Sequence, residues 1–144
     1  MDDPCYDQSG NGLLTELILF LRLANGFRER LRMADRDRAL VIAACCAELN
    51  QMPAVAEFCR QLILQNNHGH MVRRWPTMGD ALQHPDFVHF LRQLRRKMPL
   101  EAAEVHLIQT GYRCDVQRPD YADDKEYVAA VMGIDSEWLD ENFG

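Results

Sequence analysis

Leu13-Leu14-Thr15-Glu16-Leu17-Ile18-Leu19-Phe20-Leu21-Arg22-Leu23-Ala24 decides the architecture of this 144-residue chain. A run this apolar is either a membrane or targeting segment or a helix buried inside a protein. It is twelve residues long, below the roughly 17–25 that a bilayer span needs. Glu16 and Arg22 interrupt it, and Asp2, Asp3 and Asp7 precede it where a signal peptide carries positive charge. The run therefore reads as a helix of a soluble, cytoplasmic protein with no membrane partner. Leu13, Leu14, Leu17, Ile18, Phe20, Leu21 and Ala24 cover more than one helical face. Such a helix belongs at the centre of a bundle, with neighbours on two or three sides.

Outward from it the pattern stays helical. Residues 1–12, with three Asp, Pro4, Gly10 and Gly12, form an N-terminal arm that buries little. Asn25-Gly26 is expected to stop or bend the first helix, because Gly costs about 1 kcal/mol in a helix interior. Asp35 or Asp37 is the expected N-cap of a second helix with its body at 38–49. Its small residues (Ala39, Ala43, Ala44, Cys45, Cys46 and Ala47) invite close packing. Pro53 suits the first turn of a third helix, joined to the second as an antiparallel hairpin. Asn66-Asn67 ends that helix with one residue expected in the left-handed region. Thr77 caps a short helix through Leu82, and Pro85 and Pro99 each begin another, forming a second pair that Gly111 ends. Tyr112 to Pro119 is polar and extended. Asp123 has capping-box spacing to Glu126, Gly133 stops that helix, and residues 136–142 form the last one. The expected fold is all-α, a compact bundle of six to eight helices around the hydrophobic first one. One domain covers 13–144: the N-terminal helices 13–65, a connector 66–79, the Pro-initiated pair 80–111 and an acidic segment 112–144.

Composition narrows the function. The chain is 47% apolar and 26% charged, an ordinary globular balance. A net charge of −6 argues against a general nucleic-acid or acidic-membrane binder. That charge is unevenly spread. Residues 1–67 carry −2, residues 68–97 carry +4 and residues 98–144 carry −8. The five Cys have no Cys-x-x-Cys spacing. Cys45, Cys46 and Cys59 read as small buried hydrophobes in a reducing compartment.

The connector is chemically the richest stretch. His68-Gly69-His70 can chelate one metal, with His84, His89, His106 or Cys59 needed to complete a set. No diagnostic spacing supports this, so His68 and His70 are weak metal candidates. The phosphate loop, the dinucleotide fingerprint and the serine nucleophile elbow are all missing, and no cofactor is implied. A basic set of Arg73, Arg74, Arg92 and Arg96, with Trp75 and His89, can bind an anionic partner by charge and stacking. Tyr127, Trp138 and Phe143 give the acidic C-terminal segment aromatic anchors for a groove, either this chain's own basic surface or a partner's. The leading expectation is a non-catalytic interaction or regulatory protein that binds a protein partner or a second copy. The alternatives are a nucleic-acid- or phosphate-binding module on the same Arg surface, extending to Lys97, and a metal-dependent or Cys/His enzyme near His68 and His70.

Overall fold

The apolar run folds as expected and lies at the centre of the molecule. The computed structural model describes residues 12–109 and 122–144. The expectations for residues 1–11, Gly111, the stretch 112–119, Cys5 and Cys114 lie outside them. The described residues form eight α-helices, one 3-10 turn and no strand: α1 (Gly12–Glu29), α2 (Met33–Leu49), α3 (Pro53–Asn66), the turn Met71–Arg74, α4 (Met78–Leu82), α5 (Pro85–Lys97), α6 (Leu100–Gln109), α7 (Asp124–Val131) and α8 (Ser136–Phe143). The fold is thus the expected all-α, multi-helix one. No helix among the described residues is long and apolar enough to cross a membrane.

In α1, Leu14, Leu17, Ile18, Phe20 and Leu21 are buried, and α2, α6 and α7 pack around it. The buried Arg22 donates from Nη2 to Tyr127 Oη at 3.1 Å, which gives its charge a polar neighbour inside the bundle. Asn25-Gly26 does not end the helix. Asn25 Nδ2 donates to the carbonyl of Val131 at 3.0 Å, and Phe27 beyond it is buried. These tertiary contacts outweigh a local helix cost of about 1 kcal/mol.

α2 is as central as α1, touching α1, α3, α4 and α5. Ala39, Ala43, Ala44, Cys45, Cys46 and Ala47 are all buried, so short side chains let four neighbours approach. Its start differs from expectation. α2 begins at Met33, and neither Asp35 nor Asp37 caps it. Leu31 takes φ 60° to turn the chain out of α1. Asp35 lies in the first turn, where the helix dipole favours an acid, and pairs with Arg32 at 2.7 Å and Arg38 at 2.8 Å. Asp37 is drawn into the interior instead.

α2 and α3 form the expected antiparallel hairpin: Asp37 and Arg36 at the start of α2 bond Asn66 and Leu62 at the end of α3. Pro53 opens α3. The turn between them uses Gln51 at φ 61°, while Asn67 is extended at φ −137° rather than left-handed. The two Pro-initiated helices divide between different neighbours rather than stacking as a pair. α5 lies on α2 and α4, and α6 lies on α1. Thr77 caps α4, Asp123 caps α7, and Gly133 leaves α7 at φ 75°. α8 packs on α3 and α7, with Phe58 against Trp138 and Phe143 at 5.6 and 5.4 Å.

Candidate binding site

The site grows from the two ends of the 66–79 connector and the exposed side of α5. Pro85 and Asp86 start α5 as a first turn favours, and two rows follow from the helical repeat. Phe87 and Leu94 are buried, with Phe90, Leu91 and Met98 part-buried beside them. His89, Arg92 and Arg96 form a solvent-exposed row. Arg95 leaves that side of the helix. It pairs with Glu16 of α1 and reaches Cys46 Sγ at 3.8 Å.

In the connector, Asn67 Oδ1 accepts from the Gly69 N–H at 3.2 Å. His70 Nδ1 accepts from the Val72 N–H at 3.2 Å and so caps the 3-10 turn. Val72 is fully buried, and its carbonyl accepts from Arg60 Nε at 3.2 Å. Trp75 is only 6% exposed, against Phe87 at 5.6 Å and His84 at 5.3 Å. It is a core residue, the first of the two roles, core plug or stacking platform, that the Trp75-Pro76 pair leaves open in the sequence. The surrounding aromatic rings provide more contact than an exposed position would.

A cleft of about 320 Å³ opens where these parts meet. α2 contributes Ala34, Asp37 and Arg38, the connector Asn67 and His70, and α5 Phe90, Gln93, Leu94 and Lys97. The His70 ring stands edge-on to Phe90 at 6.0 Å. Burial holds His70 below the ordinary imidazole pKa, against the opposing pull of Asp37. Asp37 is itself closed off: Arg36 Nη2 donates to Oδ1 at 3.1 Å and Asn66 Nδ2 to Oδ2 at 2.8 Å. His70 also borders a more open hollow of about 380 Å³ with His68, Arg73 and Arg74.

Among the described residues Arg73 reaches only the His68 carbonyl, at 3.5 Å, and Arg74 only Asp86, at 4.0 Å and with both side chains largely exposed. Arg92, Arg96 and Lys97 make no hydrogen bond or ion pair with another described residue. The acidic C-terminal segment, a candidate to cover the arginines, does not do so among the described residues. Of its aromatic anchors, Trp138 and Phe143 pack on Phe58 and Tyr127 is buried beside Arg22, and its Asp140 pairs with Lys125. His68 and His70 do not come together with a third ligand. Among the described residues no group of three or more His, Cys, Asp or Glu could hold a metal ion. Cys45, Cys46 and Cys59 are free and buried, and burial pushes the Cys46 and Cys59 thiols up to about 12 and raises Cys45 as well.

Sequence reasoning placed Arg73, Arg74, His89, Arg92 and Arg96 on one basic surface but missed the cleft beside it. Asp37, Arg38 and Asn67 carry no signal that would link them to α5. Phe90, Gln93, Leu94 and Lys97 do carry one, since positions i, i+3, i+4 and i+7 share a helix face. No family model matches the chain, and neither a curated protein nor a solved structure does.

Proposed function

We propose that this protein is a non-catalytic, cytoplasmic interaction domain that recognises an acidic segment of a partner protein. Arg73, Arg92 and Arg96 make the primary contacts, with Arg74 and His89 at the edge. One observation carries the reading: these cations stand in solvent and, among the described residues, engage no carboxylate beyond the 4.0 Å Arg74–Asp86 contact, whereas Arg32, Arg36, Arg38, Arg60 and Arg95 are all paired within the fold. An uncommitted row of guanidinium groups offers bidentate donors to carboxylates and steers an oppositely charged partner. The buried thiols support the non-catalytic part of the proposal, because a thiol held protonated is a poor nucleophile. With Trp75 in the core, that ring is not available as the aromatic platform that single-stranded nucleic acid uses.

The test is a fluorescence titration with an Asp/Glu-rich peptide carrying apolar anchors, at about 50 mM salt, where exposed charges are weakly screened. Binding is expected, and the R73Q/R92Q/R96Q variant should weaken it at least tenfold, about 1.4 kcal/mol. The R28Q variant, altered at an exposed cation on α1, should bind as the parent does. Equal binding by the triple variant, or tighter binding of an oligonucleotide of the same charge, would overturn the proposal.

A further inference from the structure

We propose that the cleft between α2, the connector and α5 is a binding site for a monocarboxylate carried on an apolar body. This does not rest on the partner reading, because the groups involved are different ones. The cleft's apolar lining is the buried Leu94, the half-buried Phe90 and the exposed Ala34. Donors stand around it. His70 Nδ1 accepts from the Val72 N–H, so the neutral ring carries its proton on Nε2. No described group accepts from that nitrogen. The Lys97 ammonium has no partner among the described residues either. Among them Arg38 commits only Nη1, to Asp35, leaving its other guanidinium donors available.

Charge selects the ligand class. Of the charged residues lining the cleft, Asp37 is paired with Arg36 and Arg38 with Asp35, so Lys97 supplies the one positive charge without a described counter-ion. Asp37 is closed by Arg36 and Asn66, so it offers a ligand no useful acceptor. A single carboxylate balances this arrangement, whereas a doubly charged phosphate overfills it. The volume of about 320 Å³ lies at the low end for small-molecule sites, suited to a ring or short alkyl chain beside the carboxylate. The carboxylate can belong to a free acid or to the end of a peptide with an apolar last residue.

The experiment is an NMR titration of the full chain, following the His70 ring and the backbone amides of Asn67 and Gln93. The probes are phenylacetate, phenylacetamide, inorganic phosphate, and a short peptide ending in phenylalanine with a free or an amidated terminus. Phenylacetate is expected to give saturable shifts confined to the cleft. The K97Q variant, at a solvent-facing side chain that leaves the core intact, should weaken it at least tenfold, while R28Q should not. A free-ended peptide that binds more tightly than phenylacetate assigns the site to a chain terminus, and weaker binding assigns it to a small acid; in both cases the amidated form must lose affinity. Equal binding of phenylacetamide, phosphate binding as tight as phenylacetate, or no cleft shifts at millimolar phenylacetate would overturn the proposal.

Discussion

Helices α2 and α5 use arginine in opposite ways. In α2, Arg36 is 7% exposed, lies 3.1 Å from Asp37 and donates to the Leu62 carbonyl at 2.9 Å. In α5, Arg92 and Arg96 stand in water with no described partner. A charge taken out of water must be paired, so the α2 arginine is part of the hairpin's construction. A charge left in water adds almost nothing to stability and stays available to a ligand. Arg95 shows how little separates the two cases. It neighbours Arg96 in sequence, yet about 100° of helix rotation turns it onto Glu16.

The comparison breaks if stability does not follow it. Replacing Trp75 by Ala should have the largest effect, lowering unfolding free energy by about 3–5 kcal/mol in urea denaturation, since a buried ring is removed. A change below about 1 kcal/mol would mean that Trp75 is not a core residue. Asp37→Ala should follow at about 3 kcal/mol, because the buried Arg36 would lose its carboxylate and keep only the Leu62 carbonyl among the described acceptors. Thr77→Ala, which removes the acceptor for the Asp80 N–H at 3.1 Å, should cost about 1 kcal/mol. Arg92→Gln and Arg96→Gln should each shift stability by less than about 0.5 kcal/mol. If either costs as much as Asp37→Ala, the exposed row is structural and the contrast fails.

His70 sharpens the comparison through pH. Its folded-state pKa is lowered, chiefly by burial. Below about 6.5 the unfolded chain therefore takes up a proton on this ring before the folded chain does. The His70 contribution to stability is intact above that pH and is lost as pH falls through the folded pKa. Protonation at Nδ1 would also remove the acceptor that caps the 3-10 turn. Denaturation midpoints of the parent and a His70→Gln variant should converge as pH falls from 7 to about 5. A constant difference over that range would show that the ring is not buried enough to matter.

How legible a feature was depended on whether its cause was local. The Pro53, Pro85, Thr77 and Asp123 signals mark helix starts as expected, because each acts on its own turn. Asn25-Gly26 misled for the converse reason, since its helix continues on contacts with Val131 and the core more than 100 residues away in sequence. The α2 start was misplaced because Asp37 has two possible acceptor roles, and burial beside Asn66 wins over capping. The basic surface was visible as residue types. The cleft was not, because Asp37, His70 and Lys97 come from three elements.

The all-α architecture about the apolar run 13–24 is legible in the chain alone, because helical periodicity and apolar content are properties of neighbouring residues. So is the net positive charge of residues 68–97. Packing across the bundle set which arginines have a described partner, turned Trp75 inward and docked α8 on Phe58 rather than on the basic surface. Those outcomes depend on which side chains meet across the bundle, and desolvation then fixes each charge as a paired part of the core or an exposed group open to a partner.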